Sequence, residues 1–148
     1  MKFHHTCHTC SQKVTAYTHS LNQLMVEAFC QLVEYYLEKG IAANIDKDLD
    51  LTKSQFANFQ KLRYFGIAYN IESGWLPSMK GMDFYHGKIR INSTVATMNN
   101  EVLPDDHEAW ETHTRSIVRI TINEVLPYYF KSKTQYQAEK SPQLSLFT

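Results

Sequence analysis

Five side chains able to ligate a transition metal fall within seven consecutive residues: HHTCHTC brings His4, His5, Cys7, His8 and Cys10 together. Two thiolates two residues apart can hold one Zn²⁺ with tetrahedral geometry, which is half of a structural site. No second Cys-x-x-Cys follows, so closing the site falls to His19 with His5 or His8. Two readings stand. One is a structural zinc on Cys7, Cys10, His5 and His19; the other is a polar leader with adventitious metal affinity. Cys30, beside Phe29 on an apolar helix face, reads as a small hydrophobe and not as a nucleophile. Three cysteines without an export signal suit metal or thiols better than a disulfide framework.

A second dense run, Asp105-Asp106-His107-Glu108, has the donors of a cation site, yet it lies in a polar stretch where such residues commonly form and solvate a turn. No glycine-rich phosphate loop, nucleophile elbow or His-Glu-x-x-His helix is present, and five glycines leave little material for a nucleotide pocket. The chain therefore reads as a non-enzyme with no catalytic residues. Basic and polar side chains gather at Lys53, Ser54, Asn58, Lys61 and Arg63. Presented together on a helix, they would supply phosphate contacts and, through Asn58, an adenine-edge contact. The plainer reading is the solvated face of a helix that packs or binds protein.

Caps and periodicity mark the elements that must position these groups. Ser20 and Gln23 form a capping-box pair, and Leu21, Leu24, Met25, Ala28, Phe29, Leu32, Val33, Tyr36 and Leu37 repeat along one helical face up to a stop at Lys39-Gly40. Residues 1–19 show no periodicity. Thr52 and Gln55 open a second helix that turns Phe56, Phe59, Leu62 and Phe65 inward and ends at Gly66. Residues 67–69 and 75–77 flank a Glu72-Ser73-Gly74 turn and predict a hairpin. Ser78 caps a short helix to Tyr85, and KIRINSTVATM predicts a strand. Residues 99–108 read as a linker or exposed loop. The apolar segment 113–130 is read as a helix limited by Pro127, although its β-branched residues also suit a strand. From residue 131 onward the chain is polar and reads as a flexible tether.

Helix, short strand, helix, hairpin and strand is the order of a winged helix-turn-helix module. The stretch LTKSQFANFQKLRYFGIAYNIESGWLPSMKGMDFYHG resembles little-characterised bacterial and phage winged-helix proteins, in which an NFQKLRYFG helix precedes a Gly-Trp wing strand and a small S-x-x-G-x-x-F helix. The resemblance covers about residues 20–98, with an N-terminal Cys-x-x-Cys before it. It implies an α+β, mainly helical fold: a winged helix-turn-helix body, a short β-hairpin wing and an extra C-terminal helix. The expected organisation is a His/Cys-rich leader over 1–19, a winged-helix domain over 20–130 and a tail over 131–148.

In that tail, Gln143-Leu144-Ser145-Leu146-Phe147 resembles the clamp-binding pentapeptide of bacterial replication and repair proteins, Q-L-[SD]-L-F, at every position. Average residue usage would produce such a match at about one in a million positions, which makes chance a poor account of it. In a docked peptide Gln143 would hydrogen-bond at one end of a groove, Ser145 would serve as a polar spacer, and Leu146 with Phe147 would fill an apolar pocket. Pro142 keeps Ser141 extended and lowers the cost of ordering the peptide. The alternative is a latch, with Leu144, Leu146 and Phe147 folding back on the protein's own core.

Bulk properties narrow the remaining classes. The 148 residues suit one domain, and fifteen basic against fifteen acidic side chains leave no global field toward nucleic acid. Charge does segregate, to +4 over residues 52–90 and −4 over 91–130. No apolar run spans a bilayer and no secretory or transit signal is present, so a cytoplasmic protein without membrane partners is expected. The combined expectation is an accessory protein of bacterial or phage DNA replication or repair, docked on the sliding clamp, its body meeting duplex DNA or a replisome partner. Competing expectations are a winged-helix transcriptional regulator and a phage inhibitor of a host machine.

Overall fold

Asn22 starts the long helix. Its Oδ1 accepts the Met25 N–H at 2.9 Å, and α1 runs over Gln23–Lys39 until Gly40, at φ 70°, ends it. The expected Ser20–Gln23 box gives way because Ser20 closes a strand and its hydroxyl hydrogen-bonds that of Thr94. The computed structural model describes residues 2–6, 13–107, 110 and 118–127, a mixed α+β fold with small antiparallel sheets. Where a leader without periodicity was expected, β1 (Lys2–Thr6) pairs with β2 (Lys13–Ser20), and β2 pairs in turn with β6 (Thr94–Met98). Partners more than 70 residues away, and not local pattern, make β2 a strand: Ala16 and Thr18 alternate into one buried face.

Burial on α1 is centred on Met25, Val26, Phe29, Cys30, Leu32 and Val33 and stops there. Leu24, Tyr36 and Leu37, expected inside, are exposed. Cys30 has no solvent exposure, as its reading as a small hydrophobe requires.

The Thr52–Gln55 capping box forms in full: Thr52 Oγ1 accepts the Gln55 N–H at 3.1 Å and Gln55 Oε1 accepts the Thr52 N–H at 2.9 Å. The helix it opens is split. α2 spans only Lys53–Asn58, and a 3₁₀-helix follows over Phe59–Phe65. Side chains three apart eclipse in a 3₁₀-helix, and Phe59, Leu62 and Phe65, at that spacing, are all buried. Phe56, expected inside, is 46% exposed. Gln55 occupies the buried place instead, because its Nε2 donates to the Leu24 carbonyl at 2.9 Å while its Oε1 serves the cap.

The hairpin of β3 (Ala68–Ile71) and β4 (Gly74–Pro77) forms as its turn residues predict. Trp75 exchanges two backbone hydrogen bonds with Ala43, at 2.8 and 2.9 Å, which adds the segment after α1 to the hairpin's edge. The indole meets the Phe59 ring edge-on, with centroids 5.1 Å apart. The S-x-x-G-x-x-F pattern then has a physical account in α3 (Met79–Tyr85). Ser78 Oγ accepts the Gly81 N–H at 2.9 Å and donates to the Gly66 carbonyl at 2.6 Å. Gly81 lies against the Ile67 carbonyl, where a Cβ would overlap the oxygen, and Phe84 is fully buried.

Beyond α3 the chain is more extended than expected. β5 (Ile91–Asn92) pairs with β8 (Arg119–Ile120), and β6 turns back into β7 (Glu101–Val102). The turn is Asn99-Asn100 with φ of 52° and 66°, so a tight hairpin stands where a linker was expected. The segment read as a long helix contains β8 and a four-residue α4 (Ile122–Val125), its β-branched residues having favoured the strand. The extra C-terminal helix reduces to α4 among the described residues. Phe29, Phe59, Ile67, Phe84, Ile91 and Ile122 join these elements in one core, and a smaller cluster of Ala16, Ala96 and Leu103 packs with Met98 and Trp110. No helix among the described residues is long and apolar enough to cross a membrane.

Gly81→Ala should destabilise the fold by about 1–3 kcal/mol in urea unfolding, since its Cβ meets backbone and not a movable side chain. Met79→Ala, two residues earlier and 88% exposed, should stay within about 0.5 kcal/mol of the parent.

Candidate functional site

The split helix disperses the five residues expected to form one basic face. Lys53 lines a shallow depression of about 260 Å³ with Ile45, Leu49 and Phe56. Ser54 is exposed, and its carbonyl accepts a hydrogen bond from Asn58 Nδ2 at 3.0 Å. Asn58 sits where α2 gives way to the 3₁₀-helix and is partly spent on this local bond, so bidentate reading of an adenine edge would require its release. Asn58 and Lys61 do come together, around a depression of about 250 Å³ shared with Thr18, His19 and Ser20 of β2. Arg63 points elsewhere, into a separate cavity, with its guanidinium carbon 5.3 Å from the Tyr64 ring centre.

His19 anchors the depression beside Lys61. Its Nε2 shares a hydrogen bond with Thr97 Oγ1 at 3.1 Å, and its ring stacks on Tyr64 with centroids 5.0 Å apart. Burial lowers its pKa below the ordinary histidine value, and the Lys61 ammonium pushes in the same direction. The neutral form of His19 is thereby favoured, and the ring is turned toward β6 and the 3₁₀-helix. Cys7, Cys10 and the His5 side chain lie outside the described residues, and among the described residues no cluster of three His, Cys, Asp or Glu side chains could hold a metal ion.

The Arg63 cavity measures about 410 Å³ and lies between the 3₁₀-helix, α3 and the β6–β7 hairpin. Lys80 from α3 and Arg119 from β8 line it with Arg63, as do Tyr64, Trp110 and Leu103. Asp105, in its lining, accepts a hydrogen bond from Asn92 Nδ2 at 2.6 Å, while Asn92 Oδ1 is buried without a partner among the described residues. The acidic run behaves as a turn: Pro104 O accepts the His107 N–H at 3.0 Å and the Trp110 indole N–H at 3.1 Å. Glu108 lies outside the described residues.

The sequence does not expose this convergence, because Arg119 reaches the cavity through pairing of β8 with β5 across 27 residues. The excess of basic residues over 52–90, which includes Lys80, is the one trace of it. The pentapeptide Gln143, Leu144, Ser145, Leu146 and Phe147 lies outside the described residues. Comparison with protein-family models, with curated proteins and with solved structures returns no match.

The depressed His19 pKa fixes a sign. The unfolded chain binds the proton first, so stability is complete above about 6.5 and falls as pH drops through the window between that value and the lower folded one. His19→Gln should remove this part of the pH dependence in urea unfolding. Lys61→Gln should raise the His19 pKa in an NMR titration, and an unchanged value would exclude Lys61 as a cause.

Proposed function

We propose that this protein docks on the bacterial DNA sliding clamp through Gln143-Leu144-Ser145-Leu146-Phe147, with a winged-helix body that meets DNA or a replisome partner. The single observation carrying this reading is the match of all five positions to the clamp-binding pattern, with apolar anchors at Leu146 and Phe147 and a preceding Pro142 that limits the chain's freedom. A single short peptide binds modestly, so a second contact from the body would lengthen residence through effective concentration.

The winged-helix reading of the body is supported by element order: α1, the Ala43 bridge, α2 with its 3₁₀ extension, then the β3–β4 hairpin. Lys53, Lys61 and Arg63 have no carboxylate within ion-pair distance among the described residues, which leaves them available for phosphates. Their dispersal favours a phosphate-tracking contact over a compact reading head. Structural zinc would be held by Cys7, Cys10, His5 and His19.

Titration of the intact chain against a purified bacterial sliding clamp should give saturable binding. Leu146→Ala/Phe147→Ala should weaken it at least about 30-fold, two anchors of a docked peptide being worth about 1 kcal/mol or more each. Equal binding by both proteins, or none by the parent, would sink the proposal. Salt-dependent duplex binding without clamp binding would point to a regulator whose tail is a latch.

A further inference from the structure

We infer that the cavity between the 3₁₀-helix, α3 and the β6–β7 hairpin binds a nucleotide, with Arg63, Lys80 and Arg119 on its phosphate and the wall around Trp110 receiving its base. The cavity's volume of about 410 Å³ falls within the range of about 300–1,000 Å³ usual for small-molecule sites.

Charge selects an anion. Among the described residues, three cationic side chains line this recess with one carboxylate, Asp105, which is already held by Asn92. None of the three has a carboxylate within ion-pair distance among the described residues. Like charges gathered at one recess repel, and a phosphate dianion relieves that repulsion while accepting the charged hydrogen bonds they offer. The recess is also prepared in shape. Arg63 is braced over the Tyr64 ring at 5.3 Å. Gly66, at φ 75°, presents no side chain where a Cβ would stand 3.4 Å from Lys80 Nζ, so the lysine keeps its place beside the cavity.

The rest of the lining excludes a bare oxyanion as the best ligand. Trp110, Val95 and Leu103 also line the cavity, apolar surface that inorganic phosphate would leave unused, whereas a flat base buries against it. A glycine-rich loop is absent, and the sequence accordingly argued against a nucleotide pocket; this one is assembled from side chains of four separate elements. The inference does not depend on clamp docking. A nucleotide presents the same chemistry whether it is free or one residue of a DNA strand.

The test titrates the full chain with dAMP, with a single-stranded oligonucleotide of about eight nucleotides and with inorganic phosphate, followed by tryptophan fluorescence and calorimetry. Saturable binding of dAMP or the oligonucleotide, tighter than that of phosphate, is expected. The tighter of the two identifies the source. Arg63→Ala/Lys80→Ala should weaken binding at least about tenfold, and Arg119→Gln should weaken it as well. Lys47→Ala, whose side chain lies outside the cavity, should leave it unchanged. These positions are exposed, and urea midpoints check that each variant folds. Absence of saturable binding, equal affinity for phosphate and nucleotide, or unaltered binding by the charge variants would overturn the inference. Clamp titration of the same variants reads the docking proposal separately.

Discussion

Ser93 uses both of its backbone hydrogen-bonding groups in opposite directions. Its N–H donates to Val118 O and its carbonyl accepts from Leu21 N–H, each at 2.8 Å. On one side this extends the β6–β2 ladder to the start of α1; on the other it extends the β5–β8 pairing. A single bent stretch, residues 91–98, is thus the seam on which the N-terminal hairpin, the long helix and the segment after residue 117 are hung. Apart from the local β6–β7 turn, this seam is made of long-range bonds, whose closure entropy must be met before any of them is rewarded. Packing meets it: Ile91 and Val95 belong to the main core and Ala96 to the satellite cluster, so the strand is anchored on both faces.

The second organising constraint is the spacing of Phe59, Leu62 and Phe65. A strict interval of three rewards a 3₁₀-helix over an α-helix because it places all three rings and branches on one line. The change of pitch rotates the polar side chains with it. Asn58 and Lys61 turn toward β2, Arg63 turns toward α3 and β8, and Lys53 stays with the loop before α2. A surface imagined as one basic stripe becomes three recesses of different character. Among the described residues, the Arg63 recess collects further cations from distant elements and the other two do not.

What was legible in the sequence followed from local chemistry. The Thr52–Gln55 box, the Gly40 stop, the β3–β4 turn and the cap at Ser78 are decided within a few residues, and each stands as read. Ser78, Gly81 and Phe84 were visible as a pattern, but its cause, the seating of α3 on the Gly66–Ile67 backbone, was not. The misread places are those where a distant partner overrides local preference. Residues 17–20 are held as a strand by pairing with β6, and residues 119–120 by pairing with β5. Gln55 is buried because Leu24 offers a carbonyl. Arg119 and Lys80 could not be joined on paper for the same reason, since their meeting is a property of the sheets and not of any window of residues.

Cys30 carries a consequence of a different kind. Its thiol lies in the wall of the core with no solvent exposure, so an alkylating reagent reaches it only when α1 separates from its neighbours. The rate at which this sulfur is modified therefore counts openings of the core. Mass spectrometry of the peptide containing Cys30 would time such openings in the unaltered chain, without a dye or an engineered probe.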